Sequence, residues 1–258
     1  MSNLSRLTVL PLTGIPRVRP GDDLVALLLR AIGREHEALA SGDVLVLAQK
    51  IVSKAEGRFV ALDEVEPSER ARELALRVDK DPRVVELILR ESKEVVRAIP
   101  GVLVVEHRLG FVLANAGIDH SNVEPGEAGV ERVLLLPADP DRSAAELRAR
   151  LRAATGADVG VVIADSWGRP WRLGTVGFAI GAAGLPALVD LRGTPDLEGR
   201  QLQVTEVGHA DQLAAAASIL MGQAAEGVPA VLLRGLPRIA GDSPASALLR
   251  PRDKDLFR

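Results

Sequence analysis

Asp165 and Ser166 stand side by side directly after the apolar run VVIA, and Arg169 and Arg172 follow shortly. An acid and a hydroxyl leaving a strand together offer adjacent hard oxygen atoms to Mg²⁺ or Mn²⁺, and guanidinium groups engage anions with a planar fork of donors. Such a layout suits phosphoryl transfer. Trp167 and Trp171 admit a plainer reading of the same segment, as packing residues covered by the arginines through cation–π contact. A second segment, Asn115-Ala116-Gly117-Ile118-Asp119-His120-Ser121-Asn122, holds another hard ligand in Asp119. Gly117 permits a close backbone turn there, and Ser121 and Asn122 donate or accept. The alternative is a capped loop in which His120 is simply hydrogen-bonded. The third segment is Ser53-Lys54-Ala55-Glu56-Gly57-Arg58. Its ammonium and guanidinium groups suit separate phosphates, or a phosphate and a carboxylate, unless Lys54, Glu56 and Arg58 form only an exposed charged turn.

What is missing narrows the chemistry. There is no GxxxxGK[ST] loop, no HExxH, no GxSxG and no strand-associated GxGxxG. The absence of cysteine excludes disulfides, thiolate metal sites and cysteine nucleophiles, and agrees with a reducing cytoplasm as the expected compartment. Four dispersed histidines make an all-histidine zinc site a poor default, whereas a carboxylate site for magnesium or manganese matches phosphate chemistry. The net charge of -3, from 32 basic and 35 acidic residues, argues against a nucleic-acid partner. So does the lack of Tyr beside four Phe and two Trp, which leaves few platforms for stacked bases. No run approaches the roughly 18 to 20 apolar residues of a membrane helix, and MSNLSRLTVLPLTG does not read as a signal peptide. Taken alone, these residues point to a metal-dependent enzyme acting on phosphorylated ligands.

The elements that must position them alternate. Leu7 to Leu12, Val44 to Ala48 and Val130 to Leu136 read as strands, as do DVGVVIAD, ending at Asp165, and VPAVLLRGLP. Helices are expected from Asp22-Asp23 onward, with Leu24, Leu27, Leu28 and Ile32 on one face, and from Pro67-Ser68. DPRVVELILRESKEVVRAI is expected to supply one or two more helical turns beginning near Pro82, PADPDRSAAELRARLRAATG a helix with Ser143 and Glu146 in capping-box spacing, and DQLAAAASILMGQ a last helix. A hairpin turns at Arg108, Leu109 and Gly110, which leaves His107 as an exposed strand-end residue; His36 reads as a solvated helix residue. Hairpin and short strands beside a strand-helix-strand unit indicate a mixed α+β fold. With 47% apolar residues in 258, the chain is long enough to bury about 70% of its extended surface.

SKAEGR at 53–58, NAGIDHSN at 115–122, ADSWGRPWR at 164–172 and LMGQAAEGVPAVLLRG at 220–235, in this joint order, resemble the coenzyme F420-0 gamma-glutamyl ligase family. LPLTGIPRVRPGDDL and GDVLVLAQKIVSKAEGR extend the likeness over about residues 7–237. The resemblance implies one ligase domain over 1–250, a tail at 251–258, and an α+β fold of mixed, largely antiparallel sheets with packed helices in an intertwined homodimer. It implies GTP-dependent addition of L-glutamate to coenzyme F420-0, then gamma-linked extension, through an acyl phosphate with release of GDP and phosphate. Two divalent ions, Mg²⁺ or Mn²⁺, would assist, with K⁺. Asp119 and Asp165 correspond to ligands of the first divalent ion, and Ser166 and Gln223 to ligands of the second. Gln223 stands where some relatives carry an acid, and a neutral amide compensates less charge. Ile15, Pro16, Arg17, Val18, Gln49, Lys50, Lys54, Asn122 and the stretch Met221, Gly222, Gln223, Ala224, Ala225, Glu226, Gly227, Val228 correspond to nucleotide-contacting regions. Gln49-Lys50 departs from the small hydroxyl residues of some relatives. Lys54 is then a point charge on the phosphates, while Arg169 and Arg172 orient the anionic substrate tail or the incoming glutamate. A related amide ligase with another carboxylate acceptor, or a non-catalytic GTP/GDP sensor, are the alternatives.

Overall fold

The computed structural model describes residues 6–255. In chain order the elements of its first half are β1 (Thr8–Pro11), α1 (Leu24–Arg34), β2 (Val44–Ala48), α2 (Gln49–Ala55), β3 (Phe59–Ala61), α3 (Glu69–Val78), α4 (Pro82–Arg90), β4 (Ser92–Ile99), β5 (Val102–His107) and β6 (Val112–Ala114). There follow β7 (Arg132–Leu134), α5 (Pro140–Thr155), β8 (Gly160–Arg169), β9 (Arg172–Ala183), β10 (Leu188–Asp190), β11 (Glu206–Gly208), α6 (His209–Met221) and β12 (Ala230–Arg234). The mixed α+β expectation holds. The chain forms two compact units: unit 1 takes the N-terminal segment to Val18, Asp22–Val52 and Asp139–Leu248, and unit 2 takes Arg19–Gly21, Ser53–Ala138 and the segment from Leu249.

Unit 1 is built on a five-stranded sheet in the order β1-β12-β2-β8-β9, antiparallel except for the parallel β2–β8 pair. Two glycines of β9 show how helices cover it. A Cβ on Gly177 would lie 2.5 Å from Ala214 O of α6, and one on Gly181 would lie 2.2 Å from Pro140 O of α5. Gly177 pairs with Ser166 and Gly181 with Ile163, three residues apart in β8, so α6 and α5 lie on opposite faces. A register shift beside Ile163 and Ala164 lets two glycines four apart face opposite ways. Covering on both faces explains why the run Val161 to Ala164 is apolar without alternation and buried throughout. The exposed edge of β9 is closed by acids: Ala179 N donates to Asp211 Oδ1, Ala182 N to Asp141 Oδ1 and Gly184 N to Asp242 Oδ1.

Helix α1 begins where expected, with Asp23 Oδ1 accepting from Ala26 N and Leu24, Leu27, Leu28 and Ile32 buried. His36 is exposed but lies just past the helix, at φ 58. In α5 the capping-box reading of Ser143 and Glu146 is corrected. Pro140 starts the helix earlier, so Asp139 is the cap and accepts from Arg142 N, while the Ser143 hydroxyl donates back to Asp139 O.

Unit 2 contains the antiparallel β4-β5-β6 sheet, the β3–β7 pair and the helical pair α3 and α4. Ser68 caps α3 as its position predicts. The one or two helical turns expected from near Pro82 are α4, and the rest of that stretch, Ser92–Ile99, is a strand paired with β5. Register shifts between Ser92 and Glu94 and between Val95 and Arg97 break its two-residue alternation, so the charged pattern of SKEVVRAI mimics a helix while long-range pairing decides. This strand also overturns the exposed reading of His107, which pairs with Ser92 and is completely buried. Its Nδ1 accepts from Leu109 N, and its Nε2 lies 3.5 Å from Glu91 Oε2.

Burial pushes the Glu91 carboxyl up, but His107, Arg108 and Arg58 outweigh it and hold the group down at about 2. A depressed carboxyl stabilises the fold above its ordinary value of 4.5 and loses that contribution as pH falls toward 2. The shift corresponds to about 3 kcal/mol. Urea unfolding measured from pH 7 to 3 is expected to show stability falling below pH 5 in the native protein. Glu91→Gln should be less stable at pH 7 and fall less steeply; parallel pH profiles would remove Glu91 as the cause.

Candidate active site

In unit 1 the strand β8 does not stop at Asp165 but runs on to Arg169, paired with β9. Asp165 and Ser166 therefore project to opposite faces, which corrects the expectation of adjacent side-chain oxygens. Asp165 turns toward its own strand: Oδ1 accepts from Ser166 N at 2.8 Å and Oδ2 from Trp167 Nε1 at 3.2 Å. Trp167 stacks on Phe178 with ring centroids 5.5 Å apart, so its packing partner is a phenyl ring. Trp171 is 84% exposed at the hairpin turn, beside exposed Arg172. Arg169 is half-buried, and its NH1 is shut off from solvent without a hydrogen-bond partner.

Ser166 shares the face of Gly177 and hence of α6, and the chain leaving α6 returns to it. Gln223 Nε2 donates to Ser166 Oγ at 2.9 Å, and Thr175 Oγ1 donates to Gln223 Oε1 at 3.4 Å. The two residues assigned to the second divalent ion are thus in contact. A half-turn of the Gln223 amide would put its oxygen beside Ser166 Oγ, as a shared cation requires. Of the remaining unit 1 candidates, Gln49 is buried at the start of α2 and Lys50 is half-buried. Val18 is buried, Ile15 half-buried, and Pro16 and Arg17 are exposed. Met221 ends α6, and Gly222 to Val228 form the loop leading to β12.

In unit 2, Lys54 Nζ donates to Asn122 O at 2.7 Å, so two predicted nucleotide residues meet. Asn122 sits at φ 57, and Asn115, Ala116 and Gly117 form a left-handed run at φ 54, 53 and 66. That tight turn delivers Asp119 to β7, where its backbone exchanges two 2.9 Å hydrogen bonds with Leu134. His120 is exposed, with Nδ1 3.6 Å from Glu131 Oε1. Arg58 is a structural residue: Nε donates to Leu136 O and NH2 pairs with Glu91. A cation–π contact does occur in this unit, between Arg132 and Phe59 at 4.7 Å.

Among the described residues no three His, Asp or Glu side chains converge on one point. The donors present, Asp119, Asp165, Ser166 and Gln223, are all hard oxygens. Each offers the hard-oxygen chemistry that suits Mg²⁺ or Mn²⁺, ions that keep several waters and share their shell with substrate phosphates rather than entering an all-protein cage.

A family model described as F420-0:Gamma-glutamyl ligase matches residues 14–235, a span that includes every candidate from Ile15 to Val228. The chain belongs to this family. Curated relatives agree along the whole length. The coenzyme F420:L-glutamate ligase of Methanopyrus kandleri is 51% identical over 262 residues, covering 100% of both chains. That of Methanothermobacter thermautotrophicus is 48% identical, covering 98% of this chain and 99% of the relative. That of Archaeoglobus fulgidus is 45% identical, with 98% and 97% covered. No helix among the described residues is long and apolar enough to cross a membrane.

Thr175 escaped the family motifs because its place beside Gln223 depends on the β8–β9 register, where it lies opposite Gly168. His107 and Glu91 escaped because β4 was hidden. The sign available in the sequence was a histidine soon after the apolar run Val102-Leu103-Val104-Val105.

Proposed function

We propose that this chain is a GTP-dependent ligase that joins L-glutamate to coenzyme F420-0 and then adds further gamma-linked glutamate. Family membership along residues 14–235, with full-length relatives named coenzyme F420:L-glutamate ligase, is the observation that carries this reading. The acceptor carboxylate attacks the γ-phosphorus of GTP, giving an acyl phosphate and GDP. The glutamate amine then attacks the acyl carbon and phosphate departs. No side chain needs to be a covalent nucleophile, because the substrate carboxylate fills that role.

Asp119, Asp165, Ser166 and Gln223 would hold the divalent ions, and the ions would neutralise charge building between the transferring phosphoryl group and GDP. Lys54, whose ammonium donates to Asn122 O, lends a positive charge to the phosphates. The buried, unsatisfied NH1 of Arg169 is suited to a carboxylate or phosphate oxygen of the acceptor or of glutamate, with exposed Arg172 as a second contact. Ile15 to Val18, Gln49, Lys50, Asn122 and Met221 to Val228 contribute to the nucleotide site, K⁺ assists, and the working form is a homodimer in the cytoplasm. Residues 1–250 act as one ligase domain.

Purified protein given F420-0, glutamate, GTP and Mn²⁺ is expected to yield products heavier by successive glutamyl residues, with GDP released and EDTA suppressing turnover. Mass spectrometry reads all of these together. Preferential turnover of an unrelated carboxylic acid would redirect the assignment to another acceptor, and tight GTP binding without product would point to a sensor.

A further inference from the structure

The loop after α6 is closed by one of its own side chains. Glu226 Oε2 accepts from Ala224 N at 2.8 Å. The carboxylate is held below its ordinary value first by that N–H, and also by the N–H groups of Glu226 itself and of Gln223. Successive backbone N–H groups turned toward one anion form a nest, and a carboxylate within it makes charge-assisted hydrogen bonds. Gly222 makes room for it. Its φ of 70 favours glycine, and a Cβ there would lie 2.0 Å from Glu226 Cδ. Gln223 lies between the residue that must be small and the carboxylate that gathers the loop. From that position its side chain reaches Ser166 Oγ at 2.9 Å and Thr175 Oγ1 at 3.4 Å.

We propose that Glu226 is a positioning residue: by drawing the backbone of residues 223–226 around its carboxylate, it aims the Gln223 amide at Ser166. Its functional consequence rests on the proposed role of Gln223 and Ser166 as oxygen ligands of a divalent ion. Both are neutral donors on an exposed loop and a strand, so a weak site depends on their being held in place before the ion arrives. Residues that orient metal ligands commonly change metal affinity by about 10- to 100-fold when removed.

Two measurements separate the geometry from the chemistry. In ¹⁵N-labelled protein, the side-chain amide resonances of Gln223 are identified by their loss in Gln223→Ala. They are expected to move toward free-glutamine positions in Glu226→Ala. Gly222→Ala should move them likewise, because its Cβ expels the carboxylate while leaving Glu226 intact. Glu226→Gln keeps the size and one acceptor oxygen, and should restore part of the native shift. In the complete reaction, the Mn²⁺ concentration for half-maximal turnover is expected to rise about tenfold in Glu226→Ala, by a similar factor in Gln223→Ala, and no further in the double variant. Gln223 resonances unchanged in Glu226→Ala and Gly222→Ala would overturn the positioning role. Displaced resonances with unaltered Mn²⁺ dependence would uphold the positioning and remove Gln223 from the ligand set instead.

Discussion

Asp165→Asn and Asp119→Asn are each expected to leave a folded protein whose turnover falls by at least about 100-fold, the scale of losing a major electrostatic contribution to a transition state. Each replacement keeps the shape and deletes a negative charge. In Asp165→Asn the amide oxygen still accepts from Ser166 N or from Trp167 Nε1, so one of two local hydrogen bonds is at risk, a cost of about 1 kcal/mol. Asp119 meets β7 through its backbone, and Asp119→Asn leaves both bonds to Leu134 in place. A catalytic loss of this size with intact circular dichroism and unfolding midpoint therefore separates ligand from scaffold. Titrating turnover with Mg²⁺ and Mn²⁺ checks it. Near-normal rates at saturating metal, together with native metal affinity, would take both carboxylates off the ligand set.

How far these features were legible depends on whether a residue's role is set locally. Asp23, Ser68 and Gly117 act through the turn they sit in, and their types announce caps and a left-handed bend. Ser166 and Gln223 were found as motif members, but their 2.9 Å contact needs α6 to lie on one face of β8, which no local pattern states. The adjacency of Asp165 and Ser166 misleads for the same reason. Adjacent residues look like a joint ligand pair until a continuing strand sends them to opposite faces. Arg58 looked like a phosphate ligand because its partners, Leu136 O and Glu91, are distant in sequence. The strand β4 has no clear alternation in SKEVVRAI, and without it nothing in the sequence buries His107 or gathers the charges around Glu91.

Gly181 carries the second large effect, on folding rather than chemistry. It sits in β9 opposite Ile163 on the face covered by α5, and an added Cβ would meet Pro140 O at 2.2 Å, Pro140 C at 2.5 Å and Pro140 Cβ at 3.0 Å. Those atoms belong to the first turn of a helix and have little freedom to retreat. The adjoining Asp141 is anchored by the N–H groups of Ala182, Ala245 and Ser246, so moving Pro140 outward strains three hydrogen bonds at once. Gly181→Ala is therefore expected to cost about 3 kcal/mol, near the upper end for overpacking, and Gly181→Val to prevent folding. Gly177→Ala meets Ala214 O at 2.5 Å on the opposite face and should be damaging as well. Gly33→Ala supplies the opposite sign: beyond the helix's own backbone and its chain neighbours nothing lies within 4 Å of an added Cβ, and in helix α1 it should gain up to about 1 kcal/mol. Urea unfolding of the variants distinguishes the cases. A Gly181→Ala protein as stable as the native one would mean that α5 can shift away from β9, and would remove the close helix-sheet approach as the reason for glycine at this position.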